Sequence, residues 1–432
     1  MRRPALLAAT ILSLCALFLL ITGCGGKADS KNPGPVANWG KNGVVRLDNF
    51  EIKQTLEDDS GRVLAVGLYD GRIAEIVRLR SDGSLDPSFG KGGIVRWPYR
   101  MFVDRFRFGR HFLGWDLAAF LPGGRIALAG TNSFGNASDQ STLIVSEIDE
   151  GGHVIRSFGE SGYFVSKMSD CLRGPTGMTV QGSRIVVAVN RFCAKRQPNR
   201  IVLMRVTPDG KPDTSFARGG SLTVVESSAN ALISPRTPLL TMPQNHLALL
   251  LPGASGGTVE IRGLLENGAP DQHFGHRGTA SARVAFDSWE IFTDGLSRDR
   301  KENLTISGCT TAGPFLVRFN RRGGPVDFWG GSPWEPWLKG VNTNFESFGG
   351  AFGPCALFSQ RKSGDFYVAG DVLARIGWWG TIDHLYPTQV LYENARRTVR
   401  SLLVSRDGTA LVSLTQYDSR TGTSTTFVER YR

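Results

Sequence analysis

Short apolar stretches recur along the chain, and each one follows a turn made of glycine and polar residues. The clearest is Val63-Leu64-Ala65-Val66, between Gly61-Arg62 and Gly67. Seven copies lie at residues 61–67, 124–130, 183–189, 246–250, 303–308, 365–370 and 409–413. Apolar runs of this length bounded by turn residues are typical of buried β-strands. Another short strand follows several copies, as at 77–79, 204–206, 317–319 and 428–430. The pattern predicts an all-β chain built from repeated units.

A turn that ends in an aromatic residue separates these units. Its clearest copy includes Asp86, Ser88, Phe89 and Gly90. Aspartate and serine side chains bond nearby backbone amides, and glycine supplies the left-handed conformation. The aromatic residue recurs at Trp39, Phe89, Phe158, Phe216, Phe274 and Trp329, at intervals of 50 to 69 residues. A packing residue is needed in most units, whereas a ligand breaks the symmetry. We therefore expect Phe89, Phe158, Phe216 and Phe274 to be buried where one unit meets the next.

The Leu-Asp-x-Ser-Phe-Gly-x-x-Gly form at 85–93, with the Gly-Arg strand before it, resembles the delta-60 repeat of bacterial β-propeller-like proteins. The resemblance extends over nearly all of the chain after residue 36, although Ile155 stands where the turn aspartate is expected. It implies a fold and not an activity.

Each unit is too small to bury its own faces and needs its neighbours. Three visible strands and a fourth after the turn predict a propeller of about seven four-stranded blades, formed by a single domain at 37–432. The last strand, 427–431, lacks its turn, and 39–45 supplies the missing piece. We expect the N- and C-terminal strands to pair and close the ring.

Residues 1–23 have the pattern of an export signal. Arg2 and Arg3 precede an apolar run that ends in Thr22-Gly23-Cys24. A plain spanning helix is the simpler explanation, but small residues directly before a cysteine resemble a bacterial lipoprotein signal. We expect an acylated Cys24 to anchor the chain, with 24–36 as a flexible tether. In a Gram-negative cell this would place the protein on the outer membrane, facing the periplasm.

Four later cysteines suit an oxidising compartment: Cys171, Cys193, Cys309 and Cys355. Four cysteines allow three pairings, and we prefer Cys171 with Cys193 and Cys309 with Cys355. A zinc site is the alternative, but the two-residue spacings typical of zinc ligands are missing. We predict neither a metal nor another cofactor.

Two insertions depart from the repeat. Residues 97–114 interleave arginine with phenylalanine, which suits nucleic acid, an anionic lipid surface or a long outer strand. We favour the strand, because the formal net charge of +11 falls to +9 without Arg2 and Arg3 and is spread along the chain. A second cluster of candidate ligand-binding residues comprises Trp334, Trp337, Trp378 and Trp379. These rings either stack on a sugar or peptide, or fill the gap between blades.

His273 and His276 occupy one turn, but the sequence offers no third metal ligand, and a solvated turn explains them better. Two functions remain. The first is a monomeric, membrane-anchored module that binds a protein or an envelope polysaccharide without catalysis. The second is a hydrolase or lyase acting on a carbohydrate or lactone in the central funnel. The departures from the repeat look scattered and mostly apolar, which favours binding over catalysis.

Overall fold

The computed structural model describes residues 34–97, 111–134, 141–166, 172–191, 199–227, 238–252, 257–284, 291–310, 313–330, 357–360, 366–369, 373–376, 382–386 and 397–432. The regular elements within these ranges are strands, apart from one 3₁₀ turn at Pro243–Asn245. They contain no helix long and apolar enough to cross a membrane.

The described strands form seven antiparallel sheets of four strands each. Sheet 1 is β2 (Phe50–Glu57), β3 (Val63–Tyr69), β4 (Ile73–Leu79) and β5 (Ile94–Trp97). Sheet 2 is β6 (His111–Phe120), β7 (Ile126–Phe134), β8 (Ser141–Ile148) and β9 (Tyr163–Val165). Sheet 3 is β10 (Leu172–Gln181), β11 (Arg184–Arg191), β12 (Asn199–Val206) and β13 (Ser221–Ser227). Sheet 4 is β14 (Leu239–Thr241), β15 (Leu247–Pro252), β16 (Thr258–Leu264) and β17 (Thr279–Arg283).

Sheet 5 is β18 (Ile291–Arg298), β19 (Leu304–Thr310), β20 (Gly313–Phe319) and β21 (Pro325–Gly330). Sheet 6 is β22 (Leu357–Gln360), β23 (Phe366–Ala369), β24 (Leu373–Ile376) and β25 (Ile382–Tyr386). Sheet 7 is β26 (Arg397–Val404), β27 (Ala410–Asp418), β28 (Thr423–Tyr431) and β1 (Val44–Leu47). Sheet 7 therefore combines both ends of the described chain, and β1 pairs with β28 from Val44 opposite Glu429 to Leu47 opposite Thr426.

The first strand of each sheet lies beside the first strands of its neighbours. Contacts run from β2 to β6, β10, β14, β18, β22 and β26 in turn, and β26 also contacts β2. These strands are thus the innermost of their sheets. The second strands, such as β3, are buried on both faces, because an adjoining sheet covers each side.

The hydrophobic core consists of layers between consecutive sheets. In one layer, Phe89 of sheet 1 packs with Trp115, Ile126 and Leu128 of sheet 2. In another, Phe216 of sheet 3 packs with Leu247 and Leu249 of sheet 4. The prediction of an all-β, propeller-like fold made of four-stranded antiparallel sheets is confirmed.

Several predicted features lie outside the described residues. They include the signal segment and Cys24, the cysteines Cys171, Cys193 and Cys355, the basic stretch 98–110, and the tryptophans Trp334, Trp337, Trp378 and Trp379. The backbone of Cys309 is described within β19.

Candidate functional site

The recurring aromatic residues are packing groups. Phe89 and Phe216 are fully buried, Phe158 is 1% exposed and Phe274 is 6% exposed. Each ring lies in the layer between its own sheet and the next one. These four residues therefore stabilise the contacts between sheets and leave ligand binding to other positions.

A buried arginine holds the turn against the aromatic ring. The Nε of Arg78 donates to Oδ2 of Asp86 at 2.8 Å, and its Nη2 donates to Oγ of Ser88 at 3.0 Å. The guanidinium lies 4.6 Å from the centre of the Phe89 ring, within the range of a cation–π interaction. Its Nη1 donates to the carbonyl of Glu150 at 2.5 Å, so the same side chain also binds sheet 2. We call this arrangement the arginine clamp.

Sheet 3 contains a second arginine clamp with nearly the same geometry. Arg205 Nε lies 2.9 Å from Oδ2 of Asp213, and Nη2 donates to Ser215 at 2.9 Å. The guanidinium lies 4.7 Å from the Phe216 ring centre, and Nη1 donates to the carbonyl of Glu266 in sheet 4. The clamp depresses the pKa of the Asp86 and Asp213 carboxyls, since hydrogen bonds from the turn serine and the arginine charge outweigh the effect of burial.

The residue after the aromatic makes a further bond to the next sheet. The amide of Gly90 donates to the carbonyl of Gly151 at 2.8 Å, and its φ of +54° lies in the left-handed region that glycine adopts most readily. Equivalent bonds join Gly40 to Asp82, Gly159 to Asp209, Ala217 to Asn267 and Gly275 to Arg322, at 2.6 to 3.0 Å. The predicted repeat residues Asp86, Phe89 and Gly90 thus belong to one device that joins consecutive sheets.

The innermost strands carry a different recurring feature, which is a β-bulge. One residue is left out of the pairing in β2, β6, β18 and β26, and β10 skips two. The bulged residues at the shared register are Lys53, Asp116, Thr176, Asp294 and Arg400. Each stands four residues before the residue that pairs with the first apolar position of the second strand. These pairs are Glu57 with Val63, Phe120 with Ile126, Val180 with Ile185, Arg298 with Leu304 and Val404 with Ala410. The corresponding positions in sheets 4 and 6 fall outside the described ranges.

These bulges bring charged groups of consecutive sheets together. Lys53 Nζ binds Oε1 of Glu51 at 2.6 Å, and Nη2 of Arg400 lies 4.0 Å from the same oxygen. Glu51 therefore stands between a cation of its own strand and one from sheet 7. Bulges commonly occur next to functional sites, because the extra residue redirects a side chain out of the regular pleat.

Asp116 is the most perturbed group of this set. Burial raises the pKa of its carboxyl to about 6, although the Lys53 charge and a hydrogen bond from Thr131 act in the opposite direction. The Thr131 hydroxyl lies 3.4 Å from Oδ2 of Asp116. Gly174 lets β10 approach this pair, since a Cβ there would lie 2.9 Å from Oγ1 of Thr131. The carboxyl can therefore accept or release a proton near neutral pH.

The bulged residues, which we call the axial set, offer both signs of charge as well as a hydroxyl. Such groups suit a polar ligand with several hydrogen-bonding atoms. Within the described ranges, no three histidine, cysteine or carboxylate side chains are grouped to hold a metal ion. His273 lies in an exposed turn, with its side chain 98% accessible.

Sequence reasoning did not single out the axial set. Its residues lie nine or ten positions before the first apolar residue of the following strand. This spacing is present in the sequence, but the bulges themselves depend on the pairing of two strands. These five polar residues share one register on five innermost strands, and the departures noted in the sequence lie elsewhere.

Comparison with known proteins supports the fold. A family model of a β-propeller domain of unknown function, DUF5122, matches residues 60–89 and 184–216. Both matched segments end at a clamped aromatic, Phe89 or Phe216, and both contain the arginine of the clamp. No curated protein matches the chain.

Solved structures resemble the chain only distantly. The polysaccharide lyase Uly1 is 11% identical, with a TM-score of 0.42 and 94% of each chain covered. A puromycin-hydrolyzing peptidase of Mycobacterium tuberculosis is 12% identical, with a TM-score of 0.46, and 87% of this chain covers 53% of that one. Prolyl oligopeptidase B of Galerina marginata is 12% identical, with a TM-score of 0.36, and 85% of this chain covers 56% of it. The chain thus spans little more than half the length of these two peptidases.

Proposed function

We propose that this protein is an exported, membrane-anchored β-propeller that binds a polar polymer or a protein segment through its axial set, without catalysing a reaction. In this proposal the seven sheets are the blades of one closed ring. The contacts from β26 back to β2 and the pairing of β1 with β28 support closure.

One contrast between two registers carries the binding proposal. The first register is that of the recurring aromatic, which we call the wedge position, and it holds an aromatic residue in sheet after sheet, as packing requires. The bulge position holds lysine, aspartate, threonine, aspartate and arginine on the five described innermost strands. The backbone geometry at this position stays the same from blade to blade, but the side chain differs. An asymmetric ligand needs such a set of different groups.

The anchor would hold this site close to a membrane. Thr22-Gly23-Cys24 and the polar segment that follows support it. Acyl chains on Cys24 would retain the protein in the envelope, where polysaccharides and exported proteins are the available ligands.

The test is a binding screen of the full chain in detergent, on arrays of envelope polysaccharide fragments and peptides. The axial variant Lys53→Met/Asp116→Asn/Arg400→Met is expected to lose the ligands that the wild type binds. The control, Lys211→Met/Asp209→Asn/Arg420→Met, changes the same charges in exposed turns and is expected to keep them. Equal binding by wild type and axial variant would contradict the proposal.

One observation favours a second candidate, a hydrolase or lyase acting on a carbohydrate or lactone. Asp116 has a pKa of about 6 and lies near Lys53, which suits a general acid or base. In that case any array ligand should be converted to product on incubation. Asp116→Asn should then abolish turnover while binding persists, whereas a pure binding module returns the ligand unchanged.

A further inference from the structure

One register position on the third strands holds the arginine of the clamp in sheets 1 and 3. In each second strand one position directly follows the first apolar residue. In chain order, the residues paired with that position are Arg78, Glu147, Arg205, Gly263, Arg318, Arg375 and Arg430. Five of the seven are arginine, and sheets 2 and 4 are the exceptions.

The exception in sheet 2 is compensated within the chain. Glu147 replaces the arginine, and Nη1 of Arg125 binds its Oε2 at 2.6 Å. Ile155 replaces the turn aspartate at the same time, so no carboxylate of the turn is left without its arginine. In sheet 2 both the arginine of the third strand and the aspartate of the turn have therefore been replaced together.

In sheet 4 only the arginine is replaced, and the turn aspartate remains. Gly263 replaces the arginine, but the turn keeps Asp271, and Phe274 still provides the aromatic ring. The backbone frame is also unchanged. Gly263 N donates to Gly278 O and Asp271 N donates to Gly263 O, both at 2.9 Å, as Arg78 and Asp86 do at 2.8 and 2.9 Å in sheet 1. Sheet 4 thus has the frame of a clamp without its guanidinium.

A cavity of about 280 Å³ lies at this position, between sheets 4 and 5. Its lining includes Gly263, Asp271, Phe274, His246, Glu302 and Arg321. The amide of Gly275 donates to the carbonyl of Arg322, as Gly90 does to that of Gly151 in sheet 1. The carbonyl of Arg321, one residue earlier, therefore corresponds to the carbonyl of Glu150. The carboxylate, the ring and the carbonyl that hold a guanidinium in sheets 1 and 3 are therefore present here, while His273 replaces the turn serine.

His246 occupies part of the site without closing it. Its Nδ1 lies 3.1 Å from Oδ2 of Asp271. In sheet 3 the corresponding residue is Arg184, whose Nε binds Oδ2 of Asp213 at 2.9 Å while Arg205 binds the same oxygen at 2.9 Å. That oxygen lies within ion-pair distance of two guanidinium nitrogens at once in the filled clamp, so His246 and a bound guanidinium can both lie beside Asp271.

We propose that the cavity at Gly263 binds the guanidinium group of a ligand, either an arginine side chain of a protein partner or a small guanidinium compound. The guanidinium of the ligand takes the place that the side chains of Arg78 and Arg205 occupy in sheets 1 and 3. A planar fork matches the carboxylate and the ring face better than a compact ammonium, so the site discriminates against lysine and alkylammonium. This proposal is independent of the axial set.

The first measurement is calorimetric titration of the full chain in detergent with methylguanidinium chloride, with methylammonium chloride as the control at matched ionic strength. We expect saturable binding at one site for methylguanidinium, and binding at least tenfold weaker for methylammonium. Acetyl-Gly-Arg-Gly-amide and its lysine counterpart distinguish the sources. Binding of the arginine peptide indicates a protein partner, and binding of methylguanidinium alone indicates a small compound.

Two variants assign the site. Gly263→Arg supplies the missing side chain and should abolish binding, although Phe274 must move because a Cβ on Gly263 would lie 2.7 Å from its ring. Asp271→Asn, which adds no bulk, should weaken binding at least tenfold, and the exposed control Asp209→Asn should leave it unchanged. The proposal is overturned if the wild type shows no preference for guanidinium, or if folded Gly263→Arg or Asp271→Asn binds like the wild type.

Discussion

The two kinds of wedge aromatic should contribute differently to stability. Phe216 is fully buried and lies under the Arg205 guanidinium, 4.7 Å from its ring centre. Phe274 is 6% exposed and faces Gly263 in place of an arginine. Replacing either residue with alanine removes the same atoms but only Phe216→Ala also disrupts a clamp.

The expected losses follow from these surroundings. Truncating a buried phenylalanine costs about 3 to 5 kcal/mol through lost burial and cavity formation. A cation–π contact that is desolvated adds roughly 1 to 2 kcal/mol. We expect Phe274→Ala to lose about 3 kcal/mol and Phe216→Ala to lose at least about 1 kcal/mol more. Phe89→Ala, under Arg78, should behave like Phe216→Ala.

The assay is equilibrium unfolding in urea, followed by tryptophan fluorescence and by far-ultraviolet circular dichroism. Variants are compared through their midpoints at a common slope. If Phe274→Ala lowers the free energy of unfolding as much as Phe216→Ala does, the guanidinium contributes no stability through the aromatic ring. If both variants unfold within about 1 kcal/mol of the wild type, the rings are not the packing groups that their burial indicates.

Three further predictions concern other parts of the chain. Gly268→Ala should destabilise the fold by at least about 1 kcal/mol more than Gly219→Ala, because both have positive φ but only the first would place a Cβ 2.9 Å from the Phe216 ring; equal urea midpoints would contradict this. The pKa of Asp116 is raised to about 6, so the unfolded state loses this proton first, and stability should fall by about 1 to 3 kcal/mol as the pH rises from about 4 to 6; unfolding of Asp116→Asn across the same pH range should lack this fall. Mass spectrometry should find the mature chain starting at an acylated Cys24, with Cys24→Ala uncleaved or unlipidated; an unmodified Cys24 would refute the anchor.

The repeat could be predicted from the sequence because its signals are local. An apolar run between turn residues marks a strand within a few positions, and the turn from Asp86 to Gly90 lies in one short segment. The partners Arg78 and Asp86 are also only eight residues apart. The bond from Arg78 to the carbonyl of Glu150 was not predictable, since it depends on how two sheets pack.

The candidate site was harder to predict for a physical reason. A β-bulge is a mismatch in register between two strands, and a single strand does not reveal it. Lys53 and Asp116 look like ordinary polar residues within strands until their pairing is known. The empty clamp at Gly263 is similar, because a glycine gains meaning only when the same register holds arginine in other sheets.

The central claim is that the axial set binds the ligand, and calorimetry on single variants tests it most directly. With the tightest ligand from the array screen, Lys53→Met, Thr176→Val and Arg400→Met should each weaken binding at least tenfold. Lys211→Met, in an outer turn with its side chain 76% exposed, should change the affinity less than twofold. If the three axial variants bind as tightly as Lys211→Met, the ligand binds elsewhere and the axial set is not its site.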